Sequence, residues 1–548
     1  MRKKRILWIN ECSWKNTGYA VYGREVLSRL NKVPEFEVAE LACYASAKDV
    51  QENPQDWIVF PNKPDEESPD YEGYLSNPSM IFGEYSFNSV CLDFMPDIVM
   101  DIRDWWMFEY QQRSVFRDYF HWAIMPTVDA MPQNPQWINT FASADSVMAY
   151  SEFGRDTMLS QCDSIKFAGI PSPAASDAFY QVSDKAKHRE LMGMDPSSFI
   201  VGTVMRNQRR KLYPDLFKAF RMFLDKTKMS DAFLYCHTKY PDIGWEIPYL
   251  LDKFKLNNRV LFTYKCRNEN CQHISVGFYQ DAASYCSHCK KFAKELVGIR
   301  NPIDEQELNK IYNLFDVYVQ YANSEGFGMP QLEAAYAGIP LIATNYSAME
   351  SVIKNIGAVG IEPLALSMEC ETGCYRAVPD NQTFAEILEI YAQHRPALTM
   401  YGSGQRSLAR EKYNWDKTAD VWINHFKSLP LLDIQDTWLS EPKIRIPAEG
   451  IPEYLTDIVQ QVNFLFTNVL YKPEWIGGNF WSKVVKDCTL KYRAKGMDDY
   501  YFNESHIPDQ HKFESFTIGH AGKELSALRN QWNTWEHIRT QRLIGGLK

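Results

Sequence analysis

Short apolar runs alternate with longer stretches of helical spacing along most of the chain. The runs that we interpret as buried strands are residues 6–9, 36–43, 96–101, 122–126, 144–151, 199–206, 233–238, 260–264, 316–320 and 341–344. Strands that alternate with helices predict an α/β fold with parallel sheets, in which functional residues gather beyond the carboxyl ends of the strands. Residues 50–80 break this pattern because they are polar and rich in proline, and we expect a surface excursion there.

Length and composition narrow the class of protein. At 548 residues, with 45% apolar and 14% aromatic residues, the chain is long enough for about two to four globular domains. No apolar run approaches the roughly 18 residues that span a bilayer. The apolar part of the start, MRKKRILWIN, is too short for a signal sequence. We therefore expect a cytoplasmic protein without a transmembrane segment.

Charge is distributed unevenly along the chain. The overall net charge of −10 argues against a general polyanion binder. Residues 201–300, however, contain 18 Lys and Arg against 9 Asp and Glu, a net charge of +9 that leaves −19 for the rest. This segment is suited to the phosphates of a small donor or of a nucleic acid. A donor site with ordinary surface charge around it is the simpler interpretation.

The stretch from Ser324 to Val352 carries the most chemistry. A glycine-rich turn, EGFGMP, precedes a short helix at about residues 331–337 and a buried strand at 341–344. Glycines let the backbone approach a ligand closely, and the start of a helix offers free N–H groups to a phosphate or diphosphate. Glu325 and Glu333 would repel phosphate, so we interpret them as hydrogen-bond acceptors for the hydroxyls of a ribose or sugar. The alternative is an acidic helix start that suits the helix dipole.

This stretch resembles the E-x7-E signature of retaining glycosyltransferases of family 4, which have the GT-B fold. The resemblance implies two Rossmann-like domains that face each other across a cleft. It places Glu325 by the donor sugar and Glu333 on the nucleotide ribose. The diphosphate falls to the amides of the turn, which includes Gly326, Phe327, Gly328 and Met329. Members of the family are thought to react on one face of the sugar, and the leaving phosphate itself takes the acceptor's proton.

Further site residues follow from the same resemblance. Arg206 and Lys211 match a pair of cations that neutralises the donor diphosphate, so that no catalytic metal is needed, and the sequence has no Asp-x-Asp triplet. Asp129 stands where the family often has a histidine that contacts the transferred sugar; the alternative is an Asp that caps the next turn. Gly18 lies in a loop between donor and acceptor, although this loop lacks the usual second glycine. His237 faces the nucleotide or is a packing residue.

Two close pairs of cysteines, separated by fourteen residues, predict a zinc site: Cys266, Cys271, Cys286 and Cys289. His273 and His288 are alternative ligands. Four thiolates leave no open coordination position, so the zinc is expected to be structural. The surroundings are basic, and zinc ribbons often bind nucleic acid, so this ribbon is also a candidate contact for the acceptor. The nearby cations are Lys265, Arg267, Lys290, Lys291 and Lys294.

These observations predict four parts of the chain. Residues 1–181 form an N-terminal Rossmann-like domain on the acceptor side, and residues 182–430 form the nucleotide-sugar domain. Residues 264–295 are a zinc-ribbon insertion within the second domain. The resemblance ends near residue 430. Residues 431–548 are an extension that we expect to be mostly helical, with helices at about 458–470 and 523–539.

The predicted function is transfer of a sugar, hexose or pentose, from a nucleotide-diphospho-sugar to a hydroxyl of a glycan, a lipid-linked glycan or a protein, with retention of configuration. One alternative is a glycosyltransferase that acts on hydroxymethylated DNA bases, which the zinc ribbon and the basic segment favour. A second alternative is a non-catalytic nucleic-acid-binding or scaffold protein on a GT-B frame. The motifs do not name the sugar, the base, the acceptor or the oligomeric state.

Overall fold

The structure is a computed structural model that describes residues 2–112, 114, 116–280, 284–298, 301–433 and 438. The predicted C-terminal extension, with its helices at about 458–470 and 523–539, lies outside the described residues. By their internal contacts, the described residues divide into two compact units. One unit runs to Ala123 and resumes at Ser428, and the other runs from Ile124 to Lys427. The predicted domain boundary near Val182 stays a prediction.

A seven-stranded sheet occupies the N-terminal part of the chain. Its strands are β1 (Lys4–Glu11), β2 (Phe36–Cys43), β3 (Ile58–Pro61), β4 (Ile98–Asp101), β5 (His121–Ile124), β6 (Ser146–Met148) and β7 (Phe167–Gly169). The spatial order is β3-β2-β1-β4-β5-β6-β7, and β1 pairs in parallel with both β2 and β4. Residues 6–9 are fully buried, as expected of a central parallel strand that is covered on both faces.

A second sheet repeats this order in the C-terminal part. Its parallel strands are β8 (Phe199–Val204), β9 (Ala232–His237), β10 (Val260–Cys266), β14 (Val317–Gln320), β15 (Leu341–Thr344) and β16 (Val359–Ile361). They run in the order β10-β9-β8-β14-β15-β16, which is again the doubly wound order 3-2-1-4-5-6. Two such sheets confirm the predicted α/β class. A core of phenylalanines packs the helix at 213–227 onto this sheet, including Phe199, Phe217, Phe220 and Phe223.

Three short antiparallel strands extend the edge of the second sheet: β11 (Ile274–Phe278), β12 (Ser284–Tyr285) and β13 (Phe292–Leu296). Strand β10 belongs both to the main parallel sheet and to this antiparallel extension. Its residues 260–262 pair with β9, and its residues 264–266 pair with β13. The predicted insertion is therefore a continuation of the main sheet. A separate hairpin consists of β17 (Pro363–Met368) and β18 (Tyr375–Pro379).

Helices connect the strands. They are α1 (Gly18–Leu30), α2 (Ala47–Glu52), α3 (Tyr71–Ser76), α4 (Tyr85–Phe94), α5 (Trp105–Gln112), α6 (Pro135–Ser143), α7 (Glu152–Gln161), α8 (Lys185–Leu191), α9 (Tyr213–Thr227), α10 (Ile247–Lys253), α11 (Glu305–Tyr312), α12 (Met329–Tyr336), α13 (Ala348–Ile356), α14 (Asn381–Gln393), α15 (Arg395–Lys412) and α16 (Trp415–Ser428). Many begin where the sequence supplies a cap: Thr17, Ser151 and Asp304 accept backbone N–H groups at the starts of α1, α7 and α11. None of the helices within the described part of the chain is long and apolar enough to cross a membrane.

The expectation of a surface excursion at residues 50–80 is wrong in part. The segment contains the end of α2 and all of α3, and its strand β3 pairs in parallel with β2 at the edge of the first sheet. Proline is tolerated in an edge strand because one row of its backbone groups faces away from the sheet, and Pro61 ends β3. The proline-rich composition therefore marked an edge strand as well as loops.

Candidate functional site

The candidate site lies where the second sheet reverses its winding, between β8 and β14. The loops that follow these two strands are hydrogen-bonded to each other. Leu212 donates its N–H to the carbonyl of Tyr321 at 3.0 Å, and Asn323 donates to the carbonyl of Arg210 at 2.9 Å. In open α/β sheets, ligands bind outside the carboxyl ends of the strands at this reversal point.

The glycine-rich turn after β14 presents free backbone N–H groups. Gly328 has a φ of +81°, a left-handed conformation that favours glycine, and it caps α12 without a side-chain hydrogen bond. A Cβ at Gly326 would lie 2.3 Å from Cγ2 of Thr127, so a larger residue here would require the Thr127 side chain to shift. No described residue accepts a hydrogen bond from the amides of residues 326–329. The turn and the start of α12 are therefore a candidate anion site.

Glu325 is a buried carboxylate, only 3% exposed, that gathers three hydrogen-bond donors. Arg210 donates to its Oε2 at 2.6 Å, and Lys211 and Gln320 both donate to its Oε1. Burial alone would raise the pKa of Glu325, but the Lys211 and Arg210 cations outweigh burial and lower it to about 2. Glu325 is therefore ionised at neutral pH and holds two cations beside the anion site.

The two predicted cations have different surroundings. Lys211 is buried, and burial together with the neighbouring Arg210 lowers its pKa to about 8. Arg206 is half-exposed and forms a two-point ion pair with Asp242, at 2.9 and 3.0 Å. Sequence reasoning missed Arg210, although the run of basic residues before Lys211 was a visible signal. Four cations therefore follow β8. Arg210 and Lys211 share Glu325, whereas Arg206 pairs with Asp242 and Arg209 with Glu371.

Glu333 lies on α12, partly buried, and its Oε2 accepts a hydrogen bond from the hydroxyl of Tyr312 at 2.6 Å. Burial raises the pKa of Glu333 to about 7, and the Tyr312 hydrogen bond only partly opposes this effect. The two signature carboxylates thus have opposite pKa shifts. Among the described residues, no basic side chain pairs with the carboxylate of Glu333. Its oxygens can therefore accept further hydrogen bonds from hydroxyl groups.

Asp129 is tied to the same loop through the hairpin β17–β18. Arg376 of the hairpin forms an ion pair with Oδ2 of Asp129 at 2.7 Å and with Glu369 at 2.9 Å. It also donates to the hydroxyl of Ser324 at 2.7 Å, the residue before Glu325. Asp129 does not cap α6, whose cap is Asn134. Nothing in the sequence around Arg376 indicated this contact, because the two partners are far apart in the chain.

His237 and Gly18 have simpler surroundings. Nδ1 of His237 lies 2.9 Å from the hydroxyl of Thr263, and burial lowers the pKa of His237 to about 4. It is neutral at physiological pH, at the carboxyl end of β9. Gly18 is the first residue of α1 in the unit that runs to Ala123, and a Cβ there would meet no atom within 4 Å. This glycine is not required by packing.

The four predicted metal ligands come together at the end of β10. Their Sγ atoms all lie within 4.8 Å of one another. Cys266 and Cys289 are 3.6 Å apart, and Cys271 and Cys286 are 3.7 Å apart. Thiolates at about 2.3 Å from a tetrahedral zinc ion stand about 3.8 Å apart, so this donor set fits zinc. His288 lies outside the set, with its Nδ1 3.4 Å from the Sγ of Cys271.

Part of the chain matches a known family. Residues 265–361 match the sequence profile described as "Glycosyl transferases group 1". The chain is 28% identical over 223 residues to a D-inositol 3-phosphate glycosyltransferase of Paenarthrobacter aurescens. This alignment covers 41% of this chain and 43% of the relative. A second such relative, from Corynebacterium urealyticum, is 25% identical over 137 residues, covering 25% of this chain and 28% of the relative. The matches span less than half the length of these curated relatives.

Solved structures establish the fold more broadly. Sucrose-phosphate synthase from Thermosynechococcus elongatus superposes with a TM-score of 0.54 at 15% identity, covering 78% of this chain and 98% of that one. Anabaena HepE, solved in complex with UDP-glucose, superposes with a TM-score of 0.53 at 13% identity, covering 78% of this chain and all of that one. At this level of identity the likeness shows the fold alone. The fold is GT-B, as predicted.

Proposed function

We propose that the protein is a retaining glycosyltransferase that moves a sugar from a nucleotide-diphospho-sugar to a hydroxyl acceptor. The observation that carries the proposal is the anion site of residues 326–329 beside the cations that Glu325 holds. Free amides and fixed cations together suit a diphosphate. The match to a glycosyltransferase profile and the complex of HepE with UDP-glucose support the same donor class.

The cations and amides would act on the leaving group. Negative charge builds on the diphosphate as its bond to the sugar breaks, and preorganised donors stabilise that charge. Glu325 fixes Lys211 and Arg210 in the absence of a ligand, so they do not have to be ordered when the donor binds. Arg206 would add to them by exchanging Asp242 for a phosphate. In this proposal the cations stabilise the leaving diphosphate in the place of a catalytic metal ion.

Glu333 and Asp129 would handle the hydroxyl groups. Glu333 has acceptor capacity free for the ribose, while Tyr312 fixes its orientation. Asp129, held by Arg376, would lie on the side of the transferred sugar or the acceptor. Retention then follows from reaction on one face of the sugar, with a leaving phosphate oxygen taking the proton of the acceptor hydroxyl. The acceptor itself is proposed only as a hydroxyl of a glycan, a lipid-linked glycan or a protein.

The cysteine cluster would hold a structural zinc ion. Cys266, Cys271, Cys286 and Cys289 supply four thiolates, which is a closed coordination shell. When bound, the ion would link the end of β10 to the turn between β12 and β13. No part of the sugar transfer passes through this site.

Nucleotide binding tests the proposal. We would titrate UDP, GDP and ADP into the wild type and Glu333→Ala by calorimetry, with the exposed Glu386→Ala on α14 as a matched control. We expect one nucleotide to bind, with weaker binding in Glu333→Ala and unchanged binding in the control. Failure of all three nucleotides to bind would favour the non-catalytic alternative, a binding or scaffold protein on a GT-B frame.

A further inference from the structure

The hairpin of β12 and β13 exposes two aromatic rings side by side. Tyr285 and Phe292 are direct partners across the two strands, and their ring centroids are 5.2 Å apart with an angle of 69° between the planes. Tyr285 is 71% exposed and Phe292 is 60% exposed. Rings this exposed each have an open face. Large aromatic side chains are normally covered, so an exposed pair on a basic hairpin indicates a binding surface.

Two lysines stand at the tip of the same hairpin. The carbonyl of Cys286 accepts the N–H of Lys290 at 2.9 Å, and the N–H of Cys286 donates to the carbonyl of Lys291 at 2.9 Å. These bonds fix the turn between the two cysteine ligands 286 and 289. Both lysines are exposed, and neither has an ion-pair or hydrogen-bond partner for its side chain within the described ranges.

The other cations of the ribbon are already occupied. Arg267 pairs with Glu295 at 3.2 Å, Lys265 donates to the carbonyl of Pro302 at 2.6 Å, and Nζ of Lys294 lies 4.7 Å from the centre of the Tyr264 ring. The available positive charge is therefore concentrated next to the two exposed rings. A zinc ion with four thiolates leaves two negative charges, which would account for nearby lysines but not for the rings.

We propose that this surface, the ring–lysine face of Tyr285, Lys290, Lys291 and Phe292, binds single-stranded nucleic acid. Bases stack on open aromatic faces, and lysines contact the phosphates between them. A duplex fits less well because its bases are already stacked on each other. The rest of the chain, with its net charge of −19 outside residues 201–300, repels a polyanion and confines binding to the basic part. The proposal does not depend on the donor site.

Fluorescence anisotropy with the full-length protein tests the proposal. The probes are a fluorescein-labelled oligothymidine of about 15 nucleotides, a duplex of the same length and heparin as a competitor. We expect the single strand to bind more tightly than the duplex. Removal of either ring, as Tyr285→Ala or Phe292→Ala, should weaken binding about tenfold. The double change Lys290→Gln with Lys291→Gln should flatten the salt dependence by about 1.4 in the log–log slope.

Matched controls separate binding from folding. Tyr180→Ala and Lys187→Gln change an exposed ring and an exposed lysine elsewhere, and both should bind like the wild type. Zinc content is measured for every variant to check that the ribbon is folded. Tyr285→Leu and Phe292→Leu remove the aromatic rings but keep apolar volume, so they test the rings even if alanine disturbs the ribbon. The proposal is overturned if no oligonucleotide binds at 50 mM salt, if the leucine variants bind like the wild type, or if duplex and heparin compete as well as the single strand does. Those last two results would indicate simple charge attraction that does not need the aromatic rings.

Discussion

Replacement of Glu333 by glutamine should make the protein more stable and its donor site weaker. Burial raises the pKa of Glu333 from an ordinary value of 4.5 to about 7. Ionisation is therefore costlier in the folded state than in the unfolded chain. Each pKa unit corresponds to about 1.4 kcal/mol, so a shift of this size amounts to about 3 kcal/mol of lost stability.

The pH dependence of this stability loss follows from the two pKa values of Glu333, 4.5 in the unfolded chain and about 7 in the folded protein. Below pH 4.5 the carboxyl group is protonated in both states and costs nothing. Between pH 4.5 and 7 the folded state holds the proton more tightly, so stability falls as the pH rises, and the loss is complete above pH 7. Glutamine cannot ionise, yet it still accepts the hydrogen bond of Tyr312. The stability gain of Glu333→Gln should therefore be small at pH 4.5 and about 3 kcal/mol at pH 8.

Urea denaturation at several pH values measures this difference directly. Other titrating groups are present in both proteins and cancel in the comparison, and Glu386→Gln on the exposed side of α14 is the control. Nucleotide titration of the same variant should show weaker binding, since glutamine offers the ribose hydroxyls a poorer acceptor. A stability gain that does not change with pH would refute the assigned environment of Glu333. Unchanged nucleotide binding would refute its role as a ribose ligand.

Three further predictions concern the other parts of the site. Lys211→Met leaves the buried Glu325 with only a half-exposed cation, so the free energy of unfolding in urea should fall by about 3–5 kcal/mol. Arg206→Met removes an exposed ion pair, so the free energy of unfolding should fall by less than about 1 kcal/mol. Both variants should also lower kcat, by an amount that corresponds to a loss of about 2–4 kcal/mol of transition-state stabilisation. A normal kcat in either variant would show that its residue does not act on the diphosphate. Arg376→Met releases Asp129, so kcat should fall while nucleotide affinity, measured by calorimetry, stays unchanged. Chelation of the cysteine cluster should release one zinc ion per chain and lower Tm, and a metal-free protein with an unchanged Tm would contradict a structural zinc.

The sequence predicted the regular parts of the molecule because their signals are local. Apolar runs marked the central strands, and the glycine-rich turn marked the start of α12 to within two residues. The spacing of the cysteines predicted a cluster whose sulfur atoms do meet. Each of these features depends on residues that are close in the sequence or on backbone geometry that few residue types allow.

The partners of the site residues could not be predicted in the same way. Arg376 and Asp129 are 247 positions apart in the chain, and Arg376 lies on a hairpin that the pattern of apolar residues did not predict. Tyr312, which orients Glu333, reads as an ordinary buried tyrosine in the sequence. The roles of Arg210 and Lys211 beside Glu325 depend on how two loops cross at the reversal of the sheet. Such contacts are set by tertiary packing, which a single sequence does not display.

The sharing of β10 constrains how this protein can change during evolution. Since side chains alternate between the two faces of a strand, one inserted or deleted residue between 262 and 266 would turn Cys266 away from its three partners while the sheet kept its own register. We therefore expect related chains that keep the four cysteines also to keep the number of residues between the sheet core and the first cysteine.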